Sequence, residues 1–233
     1  MNTKKALLKK FIDQKQRIII NDLDIRPGEK VLDVGFGDGE FSEIAARLGA
    51  EVHATDINTP RLKDAEKVLR DQDLNVTCQV ADVRKMPFPD NHFDKVFFLA
   101  VLPLVPFEDR NKAISEVIRV TKPGGAIYFS SFNKFRIQLA NIFKGTFTKR
   151  FTVRKKTGRH IFGYSKKEIM RMLRKEPVML SSLMSYHPFN RLLLHKKLFR
   201  NRITKKPVEL IEDFFAKYLK FWSIYYLFKL KKK

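Results

Sequence analysis

Apolar residues fall along this chain in short blocks whose spacing changes from one block to the next. Lys30 to Val34, KVLDV, is a compact apolar run of strand length, and EFSEIAARL from Glu40 to Leu48 spaces its apolar residues along one helix face. Glu51 to Asp56 reads as a second strand, and a helix follows from about Pro60 to Arg70, with proline where a helix start tolerates it. Asn75 to Val80, Lys95 to Leu102 and Gly125 to Ser131 supply strands three, four and five, and Asn111 to Val120 reads as the helix before the last of them. Strands that alternate with helices at such intervals predict an α/β fold on a parallel, doubly wound sheet.

The flanks are less regular. Residues 3 to 22 combine Leu7, Leu8, Phe11, Ile12 and Ile18 to Ile20 with lysines, the pattern of an amphipathic helix. Beyond Phe132 a basic, aromatic stretch runs to about Tyr164. A helix then opens at Ser165, where Glu168 completes a capping box, and Val178 to Tyr186 reads as a sixth strand. Pro207 to Leu219 again has helical spacing. The last segment, FWSIYYLFKLKKK, reads either as a final strand completing the sheet or as an amphipathic tail lying on a membrane. The expected organisation is a core over residues 1–132, an insert over 133–206 and a closing segment over 207–233.

Charge sharpens that division. The net charge is +22, yet residues 1–132 carry 20 basic residues against 20 acidic ones, while residues 133–206 carry 21 against 2. A neutral core with one strongly cationic attachment implies an anionic partner, because such a lopsided segment repels itself. The longest apolar run, Val96 to Phe107, is interrupted by Pro103 and Pro106 and falls short of the roughly 20 residues a spanning helix needs. The basic N-terminus lacks the apolar region of a secretory signal, so a cytoplasmic protein is expected. One cysteine, Cys78, excludes an internal disulfide and a multi-cysteine zinc site, and it sits in a strand-like stretch as a small core residue would.

The candidate chemistry lies in VLDVGFGDGEF, residues 31 to 41. Gly35, Gly37 and Gly39 let the backbone bend and approach a ligand with no side chain in the way, and the helix that follows presents free N–H groups. A dinucleotide fold would place its third glycine one residue later, where Glu40 stands. Asp33 and Asp38 flank the turn; they would repel a pyrophosphate and suit a ligand with a cationic amino-acid end. Asp56, at the end of strand two, can accept from ribose hydroxyls, and Asp82, after strand three, from an adenine amino group. Three acids at successive strand ends therefore suit a sulfonium nucleoside without phosphates. The five histidines are scattered, and no metal set is expected.

From about Arg26 to Ser131 the chain resembles the class I S-adenosyl-L-methionine-dependent methyltransferases, in particular the type 11 group that includes the ubiquinone and menaquinone biosynthesis methyltransferases. The resemblance rests on VLDVGFGDG, ATDIN, ADVRKMPFPDNHFDKVFF and ISEVIRVTKPGGAIYFS. It implies a Rossmann-like, seven-stranded, mostly parallel sheet of order 3-2-1-4-5-7-6. It also implies S-adenosyl-L-methionine as cofactor, with S-adenosyl-L-homocysteine as product. The cofactor-binding residues implied are Asp33, Gly35 and Gly37 near the methionine end, Asp56 at the ribose, and Asp82 and Val83 at the adenine, with Phe36, Gly39, Ile57 and Leu99 also expected to bind cofactor.

Departures from the family bear on the acceptor. FFLAVLPLVPFED, after strand four, lacks the Asn/Asp-Pro-Pro-aromatic motif of enzymes that methylate amino groups, and it lacks the histidine many relatives carry there. The segment is almost wholly apolar. Candidate bases are His160, Tyr164 and His187, in or beside the insert. The insert interleaves Lys and Arg with Phe, Leu and Ile, which suits an anionic membrane surface and a lipidic or quinone-like acceptor reached from the inner membrane face. The same features could grip RNA. A non-catalytic, cofactor-binding partner subunit is the third reading.

Overall fold

The computed structural model describes residues 19, 22–135, 137–138, 152–154, 160–186 and 225–233. Most of the expected helix over residues 3–22, the expected helix over 207–219, most of the basic stretch before Tyr164, and His187 lie outside these. The described elements run β1 (Lys30–Val34), α1 (Glu40–Arg47), β2 (Glu51–Asp56), α2 (Thr59–Arg70), β3 (Val76–Val80), β4 (Phe93–Phe98), α3 (Arg110–Val120), β5 (Thr121–Asn133), β6 (Thr152–Arg154), β7 (His160–Tyr164), α4 (Lys166–Leu173), β8 (Val178–Tyr186) and β9 (Tyr225–Lys232).

Strands β3, β2, β1, β4 and β5 lie side by side and parallel. Strand β9 then runs antiparallel between β5 and β8. With β8 as the sixth expected strand and β9 as the seventh, the order is the expected 3-2-1-4-5-7-6. A small hairpin, β6 with β7, adds itself where Phe132 and Asn133 at the end of β5 pair with Gly163 and Tyr164. The C-terminal segment is therefore a strand. Its lysines also have internal work: the Lys232 ammonium donates to the carbonyls of Ile118 and Thr121, each at 2.8 Å, at the C-terminal end of α3 where backbone acceptors are left over.

Period-two alternation divides the core into two layers. On one face Leu32, Val34, Val96, Phe98, Ile127, Phe129, Phe228 and Leu230 pack under α3 and α4. On the other, Val31, Phe97, Leu99, Tyr128 and Leu227 pack under α1 with Ile19 and Leu23. Both faces are covered, which is why the parallel strands read as continuous apolar runs. Two strands differ from their expected bounds by two residues or more at each end. Strand β4 spans Phe93–Phe98, because Ala100 takes a left-handed backbone (φ 60°) that ends the strand before Leu102. Strand β5 starts at Thr121, directly after α3, with Gly124 (φ 77°) inside it.

Candidate active site

The carboxyl ends of β1, β2, β3 and β4 open into one cleft of about 710 Å³. Open parallel sheets place ligands here, because the chain diverges to both faces at the reversal of strand order. Gly35, Gly37, Asp56, Ile57, Asp82, Val83 and Leu99 line the cleft, brought together from four strand ends. The other three residues expected to bind cofactor lie behind that wall. Asp33 is 3% exposed, and its carboxylate accepts from the Ser42 hydroxyl of α1 at 2.8 Å. Phe36 is buried against Ala54, Leu62 and Leu69. Gly39 is the left-handed N-cap of α1, where a β-carbon would come within 3.2 Å of the Phe36 ring.

The glycine turn is tied to the sheet by the amides of Gly35 and Phe36, which donate to the Thr55 carbonyl at 2.7 and 3.2 Å. Gly35 has φ 65°, and a β-carbon there would lie 2.5 Å from a Val101 methyl. The close approach of the β4–α3 loop thus demands glycine for space as well as for conformation. Beyond β2, one Asp56 oxygen accepts the Asn58 amide at 2.9 Å, and the Asn58 side chain in turn caps α2 by accepting the Arg61 amide at 3.1 Å. That chain of contacts holds the carboxylate at the cleft, with one of its two oxygens engaged.

Asp82 is more heavily engaged. Its oxygens accept Arg84 Nε at 3.0 and 2.9 Å and Arg84 Nη2 at 2.6 Å, and the Arg84 amide at 2.9 Å. Arg84 Nη1 reaches on to Asp109, just before α3, at 2.6 Å. Hydrogen bonds from Arg84 hold the Asp82 carboxyl below the ordinary carboxylate range. Arg84 and Arg61 both line the cleft, and Arg61 pairs with the exposed Asp38 at 2.6 Å. Neither arginine was singled out by sequence reasoning, although an arginine two residues after an aspartate in a turn is a readable signal.

The far wall is apolar: Leu99, Ala100, Val101, Leu104, Val105, Pro106 and Phe162. Leu99 lines it, whereas its neighbour Phe97 is a fully buried core residue between Phe41 and Tyr128. Of the candidate bases, Tyr164 is 4% exposed and packs behind Phe162, with burial pushing its phenol well above the ordinary range. It stays protonated at neutral pH and is a poor base. His160 opens β7 opposite Arg154, its side chain outside the described residues. Ala100, Arg110 and Phe162 carried no signal in the sequence, since their importance comes from residues distant in the chain. Among the described residues no helix is long and apolar enough to cross a membrane.

Residues 32–129 match the protein family described as a methyltransferase domain, type 11. The ubiquinone/menaquinone biosynthesis C-methyltransferase UbiE of Shewanella piezotolerans is 38% identical over 125 residues, covering 51% of this chain and 49% of that protein. UbiE of Chromobacterium violaceum is 39% identical over 113 residues, covering 47% and 46%. The chain spans about half the length of the curated relatives it matches. Among solved structures, a SAM-dependent methyltransferase of Methanosarcina mazei superposes with a TM-score of 0.65 at 22% identity, over 92% of this chain and 96% of that one. The fold is therefore shared across nearly the whole chain, and over residues 32–129 the chain matches the methyltransferase-domain family of the type 11 group.

Proposed function

We propose that the protein is an S-adenosyl-L-methionine-dependent methyltransferase whose acceptor is lipidic or quinone-like. The observation that carries this is the division of one cleft into a polar side, with a side-chain-free turn and two carboxylates, and an apolar side made by the β4–α3 loop and Phe162. The polar side fits the cofactor: Gly35 and Gly37 give backbone access, Asp56 accepts from ribose hydroxyls, and Asp82 with Val83 takes the adenine. When bound, the cofactor supplies an electrophilic methyl group on a sulfonium. Leu99, Val101 and Phe162 exclude water and orient an apolar acceptor, and positioning of this kind accounts for much of a transfer barrier. The UbiE relatives act in quinone biosynthesis, which agrees with the apolar wall.

The basic stretch of residues 133–206 supports approach to an anionic membrane face, at about 1 kcal/mol per basic residue near such a surface. Calorimetry with S-adenosyl-L-homocysteine tests the cofactor half, and absence of heat at millimolar ligand overturns it. Methyl transfer from labelled cofactor to a membrane extract tests the acceptor half. Label in the lipid fraction is expected, and label in RNA or protein instead would sink the lipidic reading.

A further inference from the structure

Arg110, the first residue of α3, is a buried cation with an unfilled hydrogen bond. It is 3% exposed, and its guanidinium is enclosed by the rings of Phe107, Phe162 and Tyr164, with Cζ at 4.7, 4.2 and 4.8 Å from their centroids. Its Nε donates to the Val105 carbonyl at 3.2 Å. Its Nη2 is buried and has no acceptor, and no carboxylate forms an ion pair with it among the described residues. The Tyr164 hydroxyl, on the ring that stacks against this guanidinium, is likewise buried and unpartnered.

Aromatic faces offset part of the cost of burying a guanidinium, but they act above and below its plane. The N–H bonds point outward in that plane, and each one left without an acceptor carries a desolvation cost. A native core normally satisfies such groups, and two orphans on touching side chains are an exception that asks for a reason. Their position supplies one. Phe162 and Val105, which touch Arg110 directly, both line the apolar side of the cleft, so the guanidinium lies one ring behind the acceptor wall.

We propose that Arg110 and Tyr164 form an oxyanion subsite behind Phe162, binding an acidic oxygen carried by the methyl acceptor. This rests on the methyltransferase reading above and narrows it to an acceptor that joins an apolar body to a carboxylate or phenolate. The guanidinium supplies the charge, the phenol a second donor, and rotation of the Phe162 side chain exposes both to the cleft. An acceptor phenol that gives its proton to solvent on binding is held there as the phenolate, which is a better nucleophile toward the sulfonium methyl than the neutral phenol.

The test uses the full chain saturated with S-adenosyl-L-homocysteine. Binding of benzoate is compared with benzamide, and 4-nitrophenolate with nitrobenzene, by calorimetry and by melting temperature. At least one anion is expected to bind roughly tenfold or more tightly than its neutral partner, and which pair shows the preference tells carboxylate from phenolate. Tyr164→Phe keeps the ring against Arg110 and is expected to weaken the anion about fivefold, the worth of one lost hydrogen bond. Arg110→Met is expected to fold, since it removes an unpaired buried charge, and to abolish the preference. If Arg110→Met does not fold, Tyr164→Phe decides. Equal affinity for anion and neutral partner in the wild type, or a preference that survives both substitutions, overturns the subsite. Failure of the chain to bind S-adenosyl-L-homocysteine would overturn the cofactor reading instead, and is read separately.

Discussion

On the β1–β2 side of the cleft, wall residues are neighbours in the chain: Gly35 and Gly37 follow β1 directly, and Asp56, Ile57 and Asn58 end β2 and lead into α2. On the β4–β5 side, Phe162 arrives from β7 and lies against Arg110 of α3, after the whole of β5 and the β6–β7 hairpin have intervened. The first wall is made by backbone conformations that a few residues dictate. The second is made by packing between remote segments. Damage to the first should therefore strike ligand binding sharply and locally, whereas damage to the second should spread.

The strongest way to break the comparison is Gly35→Ala. The β-carbon would meet Val101 at 2.5 Å on a backbone with φ 65°, so about 3 kcal/mol of strain is expected. S-adenosyl-L-homocysteine binding should fall by roughly a hundredfold in calorimetry; binding within a few-fold of wild type would show that the two walls do not meet as described. Asp56→Ala comes next. Losing an ionised acceptor costs about 1.5–3 kcal/mol, so affinity should fall by tenfold or more with the melting temperature little changed.

Acid probes the packed side. Hydrogen bonds from Arg84 and from Arg119 hold Asp82 and Glu116 below the ordinary carboxylate range, and Glu116 also accepts the Met86 amide at 2.7 Å. Both carboxylates thus pin the segment after β3 to α3. Folded-state pKa values below the unfolded ones mean that this stability is complete above about pH 5 and is lost progressively as pH falls through the carboxylate range. Urea midpoints should be flat near neutrality and drop under acid, and the drop should shrink in Glu116→Gln. Arg84→Met should have a smaller effect, lowering cofactor affinity roughly threefold, on the scale of a surface ion pair. Smallest of all, burial pushes the Cys78 thiol up to about 11, so alkylation by iodoacetamide at neutral pH should be much slower than for free cysteine.

The same contrast explains what could be read in advance. Strand β2 and helix α2 match the expected blocks to within a residue, because proline, the Asn58 cap and the apolar spacing all act locally. The Ser165 capping box forms as expected, with the Glu168 amide donating to the serine oxygen at 3.2 Å. The end of β4 was harder to place. FFLAVLPLV offers no break before Pro103, and only the hydrogen bond from the Ala100 amide to Ser130 of β5, at 2.8 Å, goes with the left-handed turn there. Similarly, Asp33 and Asp56 look alike at strand ends, yet one turns inward to Ser42 and the other faces the cleft.

Read alone, the chain specified the order of strands and helices and the carboxyl-end turn where a nucleoside-type ligand would sit, because side-chain period and glycine conformation are properties of a few consecutive residues. The folded molecule settled whether the last segment is a strand or a tail. It also placed Asp33 and Phe36 behind the cleft wall, bridged Asp82 to Asp109 through Arg84, and left Arg110 buried with no counter-ion among the described residues. Those outcomes depend on burial and on hydrogen-bond partners, and neither exists until distant strands have come to lie side by side.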